Sequence, residues 1–399
     1  MRIATAFSTQ TETPAAVNEC ISQLESIFDT AADLLLIYPT SAMDADEIFH
    51  CLESHYPAAQ LMLCTSCQGA MTEHGYHGVC GHGLVIWACH DPGGSFGCAV
   101  EPYADNAVEE AVQRVLHSAM AAAGRVGELP ALVWLHGTPG QEERILSAIE
   151  QLFGRSMPVI GGSAADNDVA QKWLIGANGH LCENGVAVTL FYPSCELGFS
   201  FHSGYLPTTV TATVTQSSGR HLEQLDDAPA AELYNQLTHG VLGDELEKNG
   251  SILAATTLSP LGRYVGQVNG VAYYKLAHPE HVSEEGGLRL FAEVEEGEEV
   301  VLMQGTIESL IGRAGRVAQE AKETLDVSRH RIIGGLNIYC AGCMLTVQQQ
   351  MPEVVDSINQ VLQGAPFAGA FTFGEQGQFI GGEFAHGNLM IASVVFMEA

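Results

Sequence analysis

The central segments of the chain are ALVWLHG (Ala131–Gly137) and MPVIGGSAADN (Met157–Asn167), two apolar stretches of strand length. Between them, Gln141–Phe153 has the apolar spacing of an amphipathic helix, and GVAVTLFYP (Gly185–Pro193) follows as a third apolar stretch. The second stretch runs directly into small and polar residues. This order predicts a strand, a helix, a second strand and a closing strand.

The same pattern occurs twice more in the chain. The first copy comprises LLLIYPTS (Leu34–Ser41), a helix around Asp44–Ser54, AQLMLCTSCQG (Ala59–Gly69) and GLVIWAC (Gly83–Cys89). The last copy comprises LNIYCAGC (Leu336–Cys343), a helix across Val347–Leu362, FAGAFTFGEQG (Phe367–Gly377) and NLMIASVVF (Asn388–Phe396). The first and second strands of a copy start roughly 25 to 31 residues apart, which is the size of a βαβ unit. We therefore expect an α/β fold with three repeated units.

The residues between the second and third copies have a different pattern of apolar and polar residues. Thr208–Thr215 alternates between apolar and polar residues, and TTLSPLGRYVG, NGVAYYKLA and FAEVEEGEEVVLMQG follow. This pattern predicts an antiparallel meander, with a helix near Ala228–Leu237. We expect two α/β domains: residues 1–210 hold two units, and residues 211–399 hold the meander and the third unit.

The charge balance excludes several classes of partner. The 399 residues include 16 Lys and Arg against 47 Asp and Glu, a formal net charge of −31 that repels phosphate backbones and anionic lipids. No apolar run approaches the roughly 20 residues that cross a bilayer, and the first residues lack the apolar core of a secretory signal. The 11 cysteines are scattered through apolar segments, which favours a reducing cytoplasm. We expect a cytoplasmic protein that binds neither nucleic acid nor membrane.

Ligands of open α/β sheets collect beyond the carboxyl ends of the strands, so those positions are the candidate site. They are Thr65, Ser66, Cys67 and Gln68, then Gly161, Gly162, Ser163 and Asp166, then Gly374, Glu375 and Gln376, with Cys340 and Cys343. Gly161-Gly162-Ser163 either cradles a ligand anion or supplies only turn chemistry. The segment lacks the GxGxxG spacing, the P-loop lysine and the glycines of a nucleophile elbow, which argues against a nucleotide site and a hydrolase serine.

The two CxxC pairs are the most specific chemical motif in the sequence. Thiolates two residues apart, at Cys64/Cys67 and Cys340/Cys343, either share a metal, form a disulfide or pack as buried thiols. A zinc site would require the two distant pairs to converge. The loop HGYHGVCGHG adds His74, His77, Cys80 and His82, either as metal ligands or as part of a glycine-rich loop.

Several separated motifs give the chain a family resemblance. They are PVIGGSAADN (Pro158–Asn167), SGYLPT (Ser203–Thr208), DDAPAAELYN (Asp226–Asn235), SPLGR (Ser259–Arg263), YCAGCML (Tyr339–Leu345), PFAGAFTFGEQG (Pro366–Gly377) and HGNLM (His386–Met390). In this order the motifs resemble the FIST family of prokaryotic sensory proteins, with an N-terminal and a C-terminal FIST domain. The resemblance implies a sensor that binds a small ligand and acts on a separate histidine kinase, diguanylate cyclase or chemoreceptor.

The resemblance also suggests a ligand and a set of pocket residues. Some stand-alone FIST proteins, the NosP group, bind haem and sense nitric oxide. By motif position the pocket candidates are Cys340, Cys343, Phe373, Glu375, His386, Asn388 and Ser163, with Arg263 as a partner for a carboxylate or propionate. His386 is the first candidate for a haem ligand and His202 the second. The chain departs from the family pattern at Cys343, where an arginine often stands, and at SCQGA after Thr65, where a Gly-Glu pair is frequent.

Two alternatives to a haem sensor stay open. In the first, the ligand is an amino acid or another small metabolite, whose charged ends are clamped by Glu375 and Arg263. In the second, Cys340 and Cys343 form a redox or metal switch. The sequence contains no complete set of acid, base and nucleophile, so we do not expect an enzyme.

Overall fold

The computed structural model describes residues 1–29, 31–104, 106–248, 251–268, 271–325, 330–379 and 382–398. The first unit consists of β1 (Arg2–Ser8), α1 (Thr13–Ile27), β2 (Leu34–Pro39), α2 (Ala45–His55), β3 (Gln60–Cys64), β4 (Ala70–Thr72), β5 (Gly75–His77) and β6 (Leu84–His90). The predicted helix of this unit is confirmed. It begins at Asp44, whose carboxylate accepts a hydrogen bond from the Glu47 backbone N–H at 3.0 Å.

The second unit repeats this order. It consists of β7 (Ser95–Pro102), α3 (Val108–Ala122), β8 (Leu132–Gly137), α4 (Glu142–Phe153), β9 (Val159–Ser163), β10 (Ile175–Ala177), β11 (His180–Cys182) and β12 (Gly185–Tyr192). Each unit therefore starts with a strand and a helix that the sequence pattern did not reveal. Each also contains a short hairpin, here β10–β11, before its closing strand.

The third unit is interrupted after its first strand, β13 (Glu196–His202). The inserted elements are β14 (Leu206–Ser218), β15 (His221–Leu225), β16 (Ala228–Pro229), α5 (Ala230–Leu237), α6 (Glu245–Lys248), α7 (Leu253–Thr256), β17 (Leu261–Val268), β18 (Val271–Ala277), β19 (Pro279–Val282), β20 (Leu288–Leu290) and β21 (Glu299–Gln304). All described strand pairs in the insertion are antiparallel, in the order β18-β17-β21-β14-β15-β20-β19. The predicted antiparallel insertion and its helix are confirmed.

The rest of the third unit follows the insertion. It consists of α8 (Ile307–Glu323), β22 (Arg331–Cys340), α9 (Ala341–Thr346), a 3₁₀ turn (Gln348–Gln350), α10 (Met351–Leu362), β23 (Phe367–Thr372), β24 (Glu375–Gln378), β25 (Phe384–Gly387) and β26 (Ile391–Glu398). The sequence predicted one helix between β22 and β23. The structure has two, because the chain turns through the 3₁₀ segment before Pro352 occupies the first turn of α10.

The three units share one sheet topology. Their strands are ordered β1-β6-β2-β3, β7-β12-β8-β9 and β13-β26-β22-β23, and the inner pairs β2/β3, β8/β9 and β22/β23 are parallel. The mixed α/β architecture with repeated units is therefore confirmed.

The units exchange their short hairpins in a cycle. Hairpin β4–β5 of the first unit pairs with β23 of the third, β10–β11 of the second pairs with β3 of the first, and β24–β25 of the third pairs with β9 of the second. Each sheet of six strands thus contains two strands from a neighbouring unit. The exchange ties the three units together by backbone hydrogen bonds and brings the ends of β3, β9 and β23 to one place.

Helices cover the sheets and create separate apolar cores. Helices α1 and α2 pack on the first sheet, α3 and α4 on the second, and the insertion has its own core beneath α5. The largest cluster lies between the sheets and includes Trp87, Trp134 and Phe396. Strands β2 and β8 are buried along their whole length because both faces are covered. In the described part of the chain, no helix has the length and apolarity needed to span a bilayer.

Candidate functional site

The carboxyl ends of the three parallel-paired strands meet through backbone hydrogen bonds. The Cys67 N–H donates to the Phe371 carbonyl at 3.1 Å, Ala165 to Thr65 at 3.0 Å, and Phe373 to Ser163 at 3.1 Å. Each bond joins two different units. The residues that the sequence placed at strand ends therefore converge, as expected for a ligand site of an α/β sheet.

A small cavity of about 50 Å³ lies at this junction and is partly open to solvent. All three units and the insertion contribute to its wall. The lining residues are Cys67, Asn167, Val169, Leu253, His278, Phe291, Cys340, Gly342, Leu345, Thr372, Phe373, Gly374 and Asn388. None of them is Asp, Glu, Lys or Arg. A wider groove lies at the other end of β22, beside Met1 and Arg331, away from the strand ends.

The polar part of the wall is built by His278 and Asn388. The backbone N–H of His278 donates to Oδ1 of Asn388 at 3.1 Å. Nε2 of His278 lies 3.1 Å from the Leu253 carbonyl, which only accepts, so this nitrogen carries the proton. Burial lowers the pKa of His278 to about 4, and the ring is neutral at pH 7. The acceptor Nδ1 of His278 and the donor Nδ2 of Asn388 have no protein partner within the described ranges.

Cys340 and Cys343 form the floor of the cavity and the layer behind it. Cys340 ends β22 and lines the cavity, whereas Cys343 is fully buried on α9 and its Sγ lies 3.6 Å from the Tyr205 hydroxyl. Cys340 is the N-cap residue of α9, and Cys343 is the third residue of that helix. Burial acts to raise the pKa of Cys343, but the neighbouring Cys340 thiol and the Arg313 charge outweigh it and hold the pKa at about 6. The Cys340 pKa is raised well above its usual value by burial.

Arg313 is a fully buried cation behind the two cysteines. Its Nη1 donates to the carbonyls of Ser203 at 2.6 Å and Leu389 at 2.7 Å. Its guanidinium carbon lies 5.4 and 5.3 Å from the ring centres of Tyr205 and Tyr339. Nε and Nη2 have no partner, and Arg313 makes no carboxylate ion pair within the ranges that the structure describes.

Glu375 lies behind the cavity wall. Its carboxyl oxygens accept hydrogen bonds from the Thr372 hydroxyl at 2.8 Å and the Met390 N–H at 2.9 Å. Burial raises the pKa of Glu375 well above its usual range. The group ties β24 to the start of β26 and does not line the cavity.

Ser163 and His386 belong to a buried polar network beside the cavity. Ser163 donates to Glu142 at 2.7 Å and accepts from Nε2 of Gln376 at 3.0 Å. Nδ1 of His386 lies 3.3 Å from the same Gln376 nitrogen, and its Nε2 lies 3.1 Å from the carbonyl of Phe291, which lines the cavity. The network therefore connects the second unit, the third unit and the insertion.

Arg220 of the insertion closes this network at Glu142, at a distance of 2.5 Å. Burial acts to raise the pKa of Glu142, but His386, Arg220 and the Ser163 hydrogen bond hold it at about 2. The backbone N–H of Ser163 donates to the Gly374 carbonyl at 2.8 Å, and that of Ala164 to Gly137 at 2.8 Å. The backbone donors of this loop are therefore used within the protein, which favours turn chemistry over an anion cradle.

Two of the sequence-predicted residues lie away from the cavity. Nε of Arg263 on β17 pairs with the Glu298 carboxylate at 2.6 Å, so its guanidinium fork is already engaged. His202 ends β13, where its Nδ1 accepts from the Gly204 N–H at 2.9 Å and its ring meets Tyr273 edge-on. Cys340, Phe373 and Asn388 line the cavity, and Cys343, Glu375, Ser163 and His386 lie behind or beside it.

A haem group needs an imidazole nitrogen directed into a cavity that accepts the macrocycle. Both ring nitrogens of His386 are engaged with Gln376 and Phe291, and His202 does not line the cavity. No cationic side chain lines the wall to pair with propionates. The residues in this arrangement do not fit haem, and haem binding stays a prediction that requires these side chains to rearrange.

The metal-like motifs do not assemble into a metal centre within the described chain, where no group of three or more His, Cys, Asp or Glu side chains is placed to hold an ion. Cys67 and Cys340 line the same cavity, while Cys64 is buried and contacts the Thr65 carbonyl. His77 stacks on Phe7 with ring centres 3.7 Å apart. All 11 cysteines are unpaired.

Sequence reasoning missed Arg313, His278 and Phe291. Arg313 and His278 lie outside the strand-end positions that were searched, on α8 and just after β18. A lone arginine among the buried positions of a helix was the available signal for Arg313, because such a cation requires an anionic or aromatic partner. His278 and Phe291 belong to the insertion, and their position at the cavity depends on how the insertion packs on the third unit.

Two family models match most of the chain. Residues 33–228 match the FIST N domain and residues 230–378 match the FIST C domain. The chain therefore belongs to the FIST family, whose domains are sensor domains of signal transduction. No curated protein matches it in sequence. A cyanuric acid hydrolase from A. caulinodans is similar at 9% identity over 98% of both chains, with a TM-score of 0.37.

Proposed function

We propose that this protein senses a small uncharged molecule bound in the cavity at the junction of the three units. The observation that carries the proposal is the composition of the wall, which every unit and the insertion share and which contains no Asp, Glu, Lys or Arg. A charged ligand would lose its hydration without gaining an ion pair. A ligand at this position also contacts all three units and the insertion.

The wall favours a ligand with one hydrogen-bonding edge and an apolar body. The acceptor Nδ1 of His278 and the donor Nδ2 of Asn388 offer complementary positions for an amide or a heterocyclic N–H and C=O. Phe291, Phe373 and Leu345 supply apolar surface around them. An amino acid clamped by Glu375 and Arg263 is less well supported, because neither side chain lines the cavity.

The signal is carried by the contact between the insertion and the third unit. His278 and Phe291 come from the insertion, whereas Cys340 and Asn388 come from the third unit. A ligand that touches both shifts the equilibrium between two placements of the insertion only if it binds them with different affinity. The output is a separate signalling protein in the cytoplasm, such as a histidine kinase, diguanylate cyclase or chemoreceptor.

The first experiment measures binding of matched charged and uncharged probes. Nicotinamide, benzamide and uracil are titrated calorimetrically and by thermal unfolding, with nicotinate, benzoate and orotate as charged counterparts. We expect saturable heat and a rise in Tm for at least one uncharged probe. At 100-fold its Kd, a ligand adds about 2.7 kcal/mol, which corresponds to several degrees. Binding of only the charged probes, or of none of the six, contradicts the proposal.

Gly342 offers a variant that fills the cavity without distorting the fold. A Cβ at this position would lie 3.7 Å from Cys340 Sγ and 3.9 Å from His278 Cε1, which are ordinary contacts. Gly342→Ala should therefore keep binding, while Gly342→Leu should abolish it. Gly312→Leu on α8 is the matched control, since a Cβ there meets only the mobile end of Arg316. Retained binding in Gly342→Leu would place the ligand elsewhere.

A further inference from the structure

We propose that Cys340 and Cys343 are a dithiol that hydroperoxides entering the cavity oxidise to a disulfide. The site goes beyond the binding of an uncharged ligand, because it is a covalent modification site on the floor of the same cavity. It does not depend on which ligand the cavity holds.

The position of the two cysteines at the start of α9 suits a disulfide. Cys340 is the N-cap residue and Cys343 the third residue of the helix, so their side chains lie on one side of its first turn. Cys340 lines the cavity, and Cys343 is enclosed by Tyr205 and Arg313. An oxidant in the cavity therefore meets Cys340 first and leaves Cys343 to resolve the intermediate.

Arg313 gives the pair a negative charge. A buried guanidinium without an anionic partner is costly, and Arg313 makes no carboxylate ion pair within the described ranges. Cys343 is the neighbouring group that supplies the anion. Burial acts to raise its pKa, but the Cys340 thiol and the Arg313 charge outweigh burial and hold the pKa at about 6. The pair thus holds one thiol and one thiolate at pH 7, the state in which cysteines react.

The oxidation balances with a hydroperoxide, ROOH, as the oxidant. Cys340 passes its proton to the Cys343 thiolate, and its sulphur attacks the peroxide oxygen. The O–O bond breaks, which leaves Cys340 as a sulfenic acid and releases RO⁻. The alkoxide takes the Cys343 proton and leaves as ROH. The Cys343 thiolate then attacks the Cys340 sulphur and displaces hydroxide, so the two thiols lose two electrons and the peroxide gains them.

Oxidation changes the charge next to a structural junction. Arg313 holds the carbonyl of Ser203, where β13 leads into the insertion, and that of Leu389, just before β26. When the disulfide forms, the anion beside the guanidinium disappears and Arg313 is left as an uncompensated buried cation. The junction between insertion and third unit is therefore weaker in the oxidised protein.

Peptide mapping by mass spectrometry tests the site on the full-length protein. Protein at pH 7 is treated with hydrogen peroxide, alkylated and digested. We expect a disulfide within the peptide that contains Cys340 and Cys343, with loss of two thiols together. Cys67→Ser is the matched control at the same cavity and should leave this disulfide unchanged. Cys343→Ser removes both the base and the resolving thiol, so it should form no disulfide and should oxidise Cys340 more slowly than the wild type. Persistence of both thiols while the exposed Cys80 is oxidised overturns the proposal.

The role of Arg313 as a positioning residue has its own readout. The alkylation rate of Cys340 by iodoacetamide should rise with a midpoint near pH 6 in the wild type, and the midpoint should move up in Arg313→Met with at least a tenfold slower reaction at pH 7. Tyr205→Phe, which removes the hydroxyl 3.6 Å from Cys343, serves if Arg313→Met does not fold. A midpoint near pH 9 in the wild type contradicts the thiolate. Cys343→Ser leaves the cavity wall intact, so probe binding is scored separately from oxidation.

Discussion

Oδ1 of Asn388 accepts a hydrogen bond from the backbone N–H of His278 at 3.1 Å, and this bond joins the third unit to the insertion at the cavity wall. The Asn388 backbone N–H donates to the Leu276 carbonyl at 3.0 Å, so the residue contacts the insertion twice. Both groups are buried. Asn388 therefore both lines the cavity and holds the insertion against the third unit.

Asn388→Leu should destabilise the protein by about 1–3 kcal/mol, because it leaves the buried His278 N–H without an acceptor. Urea unfolding followed by circular dichroism measures this loss. The substitution should also weaken binding of the uncharged amide probes, since the donor Nδ2 disappears with the acceptor.

Asn337→Leu is the matched control for that variant. Asn337 is equally buried on β22, but neither atom of its side-chain amide has a partner in the described structure. Replacing unpartnered polar atoms by apolar ones of similar size should be nearly neutral or stabilising. Equal losses of stability in the two variants would show that the Asn388 bond contributes nothing specific.

The repeated units could be predicted because their signal is local. The apolar stretches contain strands buried on both faces, such as Leu34–Pro39 in β2 and Leu336–Cys340 in β22. The helix that follows the first such strand in a unit has its own periodicity. The first strand and helix of each unit were missed. Strand β13, with alternating exposed and buried residues, lies at a sheet edge and is separated from its unit by the insertion.

The hairpin exchange could not be read from the sequence, because a three-residue strand such as β4 or β10 carries too little pattern to name its partner. The same holds for the site. Cys340, Phe373 and Asn388 were found from motif positions, but the pairing of Arg313 with Cys343 depends on α8 packing against β22. Arg263 appeared free for a ligand in sequence, whereas its partner Glu298 is 35 residues away.

His136 should make stability fall as the pH drops from about 6.5 to 4. Its ring is fully buried, Nδ1 donates to the Gly162 carbonyl at 2.8 Å, and Nε2 has no partner. Burial lowers the pKa of His136 to about 4, so the unfolded chain binds a proton at a pH where the folded protein does not. His136 therefore contributes at most about 3 kcal/mol to the unfolding free energy. This contribution is complete above pH 6.5 and is lost as the pH falls toward 4.

His136→Phe removes this proton-binding group and fills the same space beside Trp134. The unfolding free energy of the variant at pH 7 should be about 1 kcal/mol lower than that of the wild type, because the hydrogen bond to Gly162 is lost. Its unfolding free energy should change less between pH 6.5 and 4 than that of the wild type, as measured by denaturant unfolding at each pH. A parallel decline in both proteins would assign the acid sensitivity to other groups.

Glu142 acts in a lower pH window. Its buried carboxylate is held at a pKa of about 2, against an ordinary value near 4.5. A depressed pKa gives stability that is complete above pH 4.5 and is lost as the pH falls toward 2, at most about 3 kcal/mol. Glu142→Gln should remove this pH dependence while lowering stability at pH 7, since Arg220 then loses a buried charged partner.

The pH window of Glu142 overlaps that of His136 only between pH 4.5 and 4, so unfolding from pH 6.5 to 2 resolves the two groups in one series. Glu143→Gln is the control, because Glu143 also contacts Arg220 but lies closer to the surface, with its side chain 27% exposed. Its effect should be smaller. If Glu142→Gln keeps the full wild-type decline below pH 4.5, the network does not hold Glu142 ionised.

Gly162→Ala tests whether the exchanged hairpin β24–β25 shapes the cavity. Gly162 on β9 pairs with Glu375 on β24, and a Cβ at Gly162 would lie 2.6 Å from Cγ2 of Thr372, a short buried side chain that lines the cavity and donates to Glu375. Thr372 cannot move aside without breaking that bond, so we expect a loss of about 1–3 kcal/mol in unfolding free energy and weaker probe binding.

Gly137→Ala on the adjacent strand β8 is the control, because its Cβ meets only the mobile Ile145 Cδ1 within 3.4 Å. Thermal unfolding and calorimetry compare the two alanine variants, and unchanged probe binding in Gly162→Ala would show that Thr372 and the hairpin do not shape the ligand site.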